Sequence, residues 1–224
     1  MRASHAIFVT GTDTGIGKTR VATALLRAMA ASGWRAVGMK PVAAGFEPAT
    51  NVNSDVAALL AAGNIDAPLA DRNPYAFAEA IAPHVAAASE GVTIALRPIV
   101  GACERLRASA EAVVIEGAGG ALVPIGAQHD MLDIAAALRV PVLLVVGMRL
   151  GCLNHALLTA LAIRRRGLVL SGWIANELPP GMPRVNANID ALAERLGCAP
   201  VRVIAPMAAC DFDAHALAML GFTQ

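Results

Sequence analysis

Strong charge of either sign is missing from this 224-residue sequence: 18 Lys and Arg stand against 17 Asp and Glu, a net charge of +1. A field that weak does not gather nucleic acid. The one basic cluster, Arg164-Arg165-Arg166, falls where a helical pattern ends and reads as helix-end solvation rather than an anion site, since cations favour a helix C-terminus. Long apolar runs are also missing. Val140 to Met148 contains Pro141 and Gly147 and falls well short of the roughly 20 residues that cross a bilayer, so no transmembrane helix and no membrane partner are expected. Cysteine is scarce: Cys103, Cys152, Cys198 and Cys210 form no Cys-x-x-Cys pair and no metal-ligand spacing with histidine. They read as reduced packing residues, and a zinc site is excluded. Nor is there a Ser-His-Asp or Cys-His arrangement; His84, His129, His155, Trp34 and Trp173 have no partner at catalytic spacing and read as structural. Met1 to His5 leads into a short apolar run without the small-residue cleavage pattern of a signal peptide, so the chain is expected to stay in the cytoplasm.

What is present is apolar and periodic. Residues of hydrophobic type make up 56% of the chain, which suits helices packed on a sheet buried from both sides. The length predicts one domain, residues 1–224. Short β-branched or Leu-rich runs predict six strands, at Ala6 to Thr10, Ala36 to Met39, Val113 to Glu116, Val142 to Val146, Val169 to Ala175 and Val201 to Ile204. Helical spacing lies between them, as in Val21, Leu25, Leu26 and Met29, or Leu153, Leu157, Leu158 and Leu161. The alternation predicts an α/β fold of three layers, a mainly parallel sheet with helices on both faces. Residues 41–92 break the rhythm, with one helix beginning near Ser54 and a Pro- and Asn-containing stretch at Asn73-Pro74-Tyr75, and are expected to form a lobe or lid beside the sheet.

In such sheets ligands sit beyond the carboxyl ends of the strands, and the polar or glycine-rich features of this chain fall there. Gly11-Thr12-Asp13-Thr14-Gly15-Ile16-Gly17-Lys18-Thr19 follows a strand and opens a helix. Its glycines let backbone N–H groups face phosphates, Lys18 reaches the β- and γ-phosphates, and the Thr19 hydroxyl suits magnesium, so the loop predicts a P-loop site for ATP with Mg2+. Five residues rather than the usual four separate Gly11 from Gly17. Glu116 ends a hydrophobic strand, and Gly117-Ala118-Gly119-Gly120 lets the backbone pass close to a ligand; a carboxylate there suits magnesium. Asn53-Ser54-Asp55 reads equally as a helix N-cap and as a functional carboxylate. Lys40 before Pro41 is either a surface lysine or a charge-stabilising group. Gly151-Cys152-Leu153-Asn154 is either an ordinary helix start or an anion site suited to a carboxylate.

Taken together these motifs resemble the dethiobiotin synthetase family over essentially the whole chain. The residues carrying the resemblance are the loop Gly11 to Thr19, Lys40-Pro41-Val42, Asn53-Ser54-Asp55, Asn73-Pro74-Tyr75 with Phe77-Ala78-Glu79, Glu116 to Gly120, Leu150-Gly151-Cys152 with Asn154-His155-Ala156, and Gly172-Trp173 with Ala175-Asn176. The resemblance implies a P-loop ligase of biotin biosynthesis that uses ATP and Mg2+ to join 7,8-diaminononanoate and CO2. It further implies Lys18, Lys40 and Thr14 as catalytic residues and Thr19, Asp55 and Glu116 as magnesium ligands. Gly15, Ile16, Gly17, Lys18, Thr19, Arg20, Asp55, Glu116, Gly117, Ala118 and Gly119 would contact the nucleotide, with Asn176, Glu177, Pro206, Met207 and Ala208 around the base. Ala44 would line the substrate site, and Leu150, Gly151, Cys152, Leu153 and Asn154 would reach the substrate carboxylate across a homodimer interface.

Three departures from the family pattern stand out: Gly15 where some members carry Glu, Ala44 where Ser is common, and Ala80 where Pro often follows the Glu. Ala44 removes a hydroxyl expected near the diamine or carbamate; the phosphate machinery is untouched. A rival reading, a nucleotide-switched positioning ATPase, calls for an extra lysine early in the loop, where Thr12, Asp13 and Thr14 stand, and for a basic or amphipathic tail. An amidotransferase-type synthetase calls for a glutaminase domain, for which the chain is too short.

Overall fold

The computed structural model describes residues 5–46, 50 and 52–223; the reading of Met1 to Ser4 lies outside them, as do four positions of the 41–92 lobe and its surroundings numbered 47–49 and 51. The strands are β1 (His5–Gly11), β2 (Ala36–Met39), β3 (Val42–Ala44), β4 (Tyr75–Phe77), β5 (Ala112–Glu116), β6 (Val142–Met148), β7 (Leu170–Glu177) and β8 (Arg202–Ile204). The helices are α1 (Lys18–Ala31), α2 (Ser54–Ala62), α3 (Leu69–Arg72), α4 (Pro83–Ser89), α5 (Leu96–Ser109), α6 (Met131–Leu138), α7 (Cys152–Arg165), α8 (Val185–Leu196) and α9 (Ala214–Met219).

Six strands form one parallel sheet in the order β2-β5-β1-β6-β7-β8, with β1 near the middle. Every side chain of β5 and β6 is buried, because both faces of the sheet are covered and alternate residues point to opposite layers. On β6, Leu143 and Val145 pack with α1 and α9, while Leu144 and Val146 pack with α7 and α8. On β1, Ile7 and Val9 face α1, and Phe8 faces the layer that holds α5 and α6. The three-layer α/β arrangement expected from the alternating pattern is therefore the observed one. Among the described residues no helix is long and apolar enough to cross a membrane.

Strand boundaries shift in one place that matters. The strand expected to end at Ala175 runs to Glu177, because its backbone keeps pairing with Gly147 and Met148, so Asn176 and Glu177 are its last two residues rather than the start of a loop. The 41–92 segment carries more structure than a single helix: besides α2, which starts at Ser54 as expected, it holds α3, α4 and the parallel pair β3-β4.

The junction between this segment and the sheet is a polar clamp on Lys40. Lys40 N–H donates to the Arg72 carbonyl at 2.7 Å, and Asn73 Nδ2 donates to the Lys40 carbonyl at 2.7 Å. Buried Arg72 in turn donates through Nε to the Gly38 carbonyl (3.2 Å) and through Nη2 to the Leu59 carbonyl (3.0 Å). A buried carbonyl left without a donor costs about 1–3 kcal/mol. Arg72→Leu removes the guanidinium from both, the Leu59 carbonyl keeping only the Gly63 N–H at 3.3 Å, and is expected to lower the unfolding free energy by about 1–3 kcal/mol. Urea denaturation of the variant at the wild-type midpoint would refute that.

Candidate active site

The loop after β1 is shaped by its glycines and by its first helical lysine. Gly17 sits at φ 91°, a left-handed conformation that side chains resist, and a Cβ there would collide with the Asn176 amide, so only glycine fits. Helix α1 begins at the next residue with no side-chain cap, leaving its first N–H groups free to face an anion. Lys18 bends back over the loop, its Nζ donating to the Asp13 carbonyl at 2.8 Å. Burial, and then the nearby charge of Lys40, pull the Lys18 pKa down to about 8.

Four side chains from separate parts of the chain meet beside it. Lys40, just past β2, places Nζ 2.7 Å from Asp55 Oδ2 and 2.6 Å from Glu116 Oε1. The Thr19 hydroxyl lies 2.7 Å from Asp55 Oδ1 and 2.8 Å from Glu116 Oε1. Asp55 is delivered by the first turn of α2, which Asn53 caps through its side-chain oxygen, so the motif caps a helix and brings a carboxylate into this cluster. Lys40 is a buried residue and not a surface lysine. Burial alone lowers its pKa, but the Glu116 and Asp55 carboxylates outweigh that and hold the ammonium charged. For Asp55 burial acts to raise the pKa, and Lys40 and Thr19 more than reverse it, keeping the carboxylate ionised.

The donor set suits magnesium. Thr19, Asp55 and Glu116 offer only oxygen, the chemistry a small hard cation takes, and Glu116 Oε2 is buried with no hydrogen-bond partner.

These groups form one end of a cavity of about 810 Å3. Thr14, Gly15, Gly17, Lys18 and Thr19 line its phosphate side, with Ala118 and Gly119 beside Glu116. Apolar lining comes from Ala44, Ile81, Ala82, Pro83 and Val123, the last packed beside Gly119. Apart from Ala44 these wall residues were not foreseen in the sequence; Pro83 at the first turn of α4 was the available signal, being a common helix opener. Asn53 was read only as a cap. It also donates through Nδ2 to the Ala44 carbonyl (3.1 Å) and the Gly45 carbonyl (2.7 Å), so the backbone at Ala44 is already engaged.

The remaining residues expected in the site lie outside this cavity. Gly117 closes against the sheet, its N–H donating to the Val9 carbonyl at 3.0 Å. Buried Asn176 donates to the Ile16 carbonyl at 2.8 Å, and Glu177 ends β7 next to it. Pro206, Met207 and Ala208 follow β8; Met207 is 90% exposed at φ 60°, and the Ala208 carbonyl accepts from Arg20. Leu150 is 94% exposed, Gly151 caps α7, Cys152 is buried, Leu153 is half-buried, and Asn154 is exposed. That turn is tied to the phosphate loop by Arg149, unnoticed in the sequence, whose guanidinium pairs with Asp13.

A glycine loop with its lysine and hydroxyl, facing two carboxylates at the strand-end edge of a parallel sheet, defines a P-loop nucleotide-binding protein. Residues 5–208 match a family described as an AAA domain. The fold is shared with the septum site-determining protein MinD of Pyrococcus horikoshii, solved with Mg-ADP, at a TM-score of 0.58 and 16% identity over 90% of this chain and 81% of that one. A ParA family ATPase from Chlorobium tepidum gives a TM-score of 0.57 and 12% identity over 98% and 89%. Sequence relatives are much nearer. The ATP-dependent dethiobiotin synthetase BioD of Xanthomonas axonopodis pv. citri is 55% identical over 193 residues, 85% of this chain and 86% of the relative. The protein of the same description from Aromatoleum aromaticum is 49% identical over 213 residues, 94% and 95%. The chain belongs to the ATP-dependent dethiobiotin synthetase family.

Lys40→Met leaves buried Glu116 and half-exposed Asp55 facing each other with only the more distant Lys18 as counter-charge, and removing one partner of a buried ion destabilises the fold. The variant is expected to unfold at lower temperature than wild type and to regain more of its stability on adding Mg2+. A thermal shift with Mg2+ no larger than that of wild type would count against the magnesium assignment.

Proposed function

We propose that this chain closes the cyclic urea of dethiobiotin from 7,8-diaminononanoate, CO2 and ATP, with the residues at the polar end of the cavity performing the chemistry. One amine adds to CO2, forming a C–N bond and losing a proton to give a carbamate. A carbamate oxygen attacks the γ-phosphorus, the bridging P–O bond to ADP breaks, and a carbamic-phosphoric anhydride forms. The second amine attacks the carbonyl carbon, the C–O bond to phosphate breaks, the ring closes, and the amine proton leaves with solvent or phosphate.

Phosphoryl transfer needs positioning and charge neutralisation more than covalent catalysis. Lys18 and the free N–H groups of the loop hold the β- and γ-phosphates; Lys40 faces the transferring group and the carbamate oxygens; Thr14 orients the carbamate. Thr19, Asp55 and Glu116 would hold magnesium, which when bound neutralises charge on the phosphate oxygens. The supporting observation is the mixed lining of the cavity: Thr14, Lys18, Thr19, Lys40, Asp55 and Glu116 supply ionic or hydroxyl side chains, and Ala44 with Ala80 to Pro83 supply apolar surface that suits an aliphatic chain. A homodimer fits the exposed apolar residues Leu150, in the turn before α7, and Leu158 and Leu161, three apart on the helix. We place the enzyme in the cytoplasm, where its substrates and reduced cysteines belong.

Phosphate release from Mg-ATP with bicarbonate, with and without the diamine, coupled to mass spectrometry of the product, tests the reaction. Release that depends on the diamine and yields the cyclic urea is expected; hydrolysis indifferent to the diamine returns a switch ATPase. Lys18→Ala and Lys40→Ala are each expected to cut kcat by about 10²-fold or more, the scale for removing a charge-stabilising group. Ala44→Ser is expected to lower KM for the diamine about fivefold, the worth of one added hydrogen bond; an unchanged KM would show that the missing hydroxyl has no role.

A further inference from the structure

We propose that Arg20 is a positioning residue that fixes the base-recognising part of the nucleotide site to the phosphate loop, and through it sets the preference for one base over another; this rests on the nucleotide reading of the site given above. Consecutive residues on a helix point about 100° apart. In the first turn of α1, Thr19 is directed at the β5 and α2 carboxylates. Arg20 is directed the other way and does not line the cavity. Its Nη1 donates to Asn176 Oδ1 at 3.1 Å, and its Nη2 donates to the Ala208 carbonyl. The Asn176 amide is thereby held at both ends, since its Nδ2 donates to the Ile16 carbonyl of the loop. One guanidinium thus joins three segments: the start of α1, the end of β7 and the turn after β8.

Strand order says what those segments do. The loop follows β1 in the middle of the sheet; Lys40 and Glu116 lie at the ends of β2 and β5 on one side, while β6, β7 and β8 lie on the other. A triphosphate whose terminal group meets Lys40 and Glu116 must extend its nucleoside toward β7 and β8. There the turn closed by Ala208 N–H on the Ala205 carbonyl carries Met207 almost wholly exposed in a left-handed conformation. Residues 205–209 are exposed, so the Arg20 bond to Ala208 is what ties that backbone to the start of α1.

Arg20→Met, which keeps the length of the stem, separates the two halves of the ligand. Calorimetric titration with Mg-ADP and with Mg-pyrophosphate, on wild type and variant, is the experiment. The expected result is Mg-ADP binding weakened about tenfold, or 1.4 kcal/mol, with pyrophosphate affinity within about twofold of wild type, which also reports an intact loop. In turnover the effect falls on KM for ATP rather than kcat, and the preference for ATP over CTP narrows. Equal weakening of both ligands would overturn the proposal, since Arg20 would then support the loop alone, as would unchanged Mg-ADP affinity. A wild-type protein that binds neither ligand would refute the nucleotide reading itself, and with it this inference. One that binds Mg-ADP but makes no cyclic urea would refute only the assigned reaction.

Discussion

A buried ammonium between two carboxylates organises this molecule. Lys40 could not stay charged at 3% exposure without Asp55 and Glu116, and Glu116, wholly buried, needs the cation as much as the cation needs it. Meeting that requirement brings the end of β2, the end of β5 and the first turn of α2 to one point, with the Thr19 hydroxyl bridging both acids from α1. The Arg72 and Asn73 contacts with the Lys40 backbone follow from the same demand, because a side chain so constrained must start from a fixed main chain.

The chemistry that results is divided across the sheet. Toward β5 and β2 lie Lys40, Asp55 and Glu116, while toward β7 and β8 lie the Asn176 amide and the Ala208 carbonyl, tied to the loop and α1. Neighbours such as the MinD and ParA proteins share the scaffold at TM-scores near 0.58 and 0.57 with little sequence in common. The scaffold therefore does not by itself say which of its members a chain is; the sequence relatives do.

What could be read from the chain in advance was whatever is local. Residues 11–19 are contiguous, so the loop announced itself, and the β-branched runs marked all six strands of the sheet. Lys40 and Asp55 were ambiguous in isolation, since a lysine before proline and an acid behind an asparagine cap have ordinary explanations; only their meeting across the fold resolves them. Strands β3 and β4, three residues each, are too short to show a period. Arg149 depends on an acid 136 residues away, and the second role of Asn53 on carbonyls eight and nine residues back that only the folded loop brings within reach.

Asn53 joins two surfaces with different tasks. Its oxygen caps the helix that carries Asp55, and its nitrogen holds the carbonyls of Ala44 and Gly45, where the apolar wall begins. A shift of the Ala44–Gly45 backbone is therefore carried, through a single amide, to the turn that holds Asp55. The apolar lining and the alignment of the acid become one mechanical variable, in the way that a key's depth and the rotation it permits are set by the same pin.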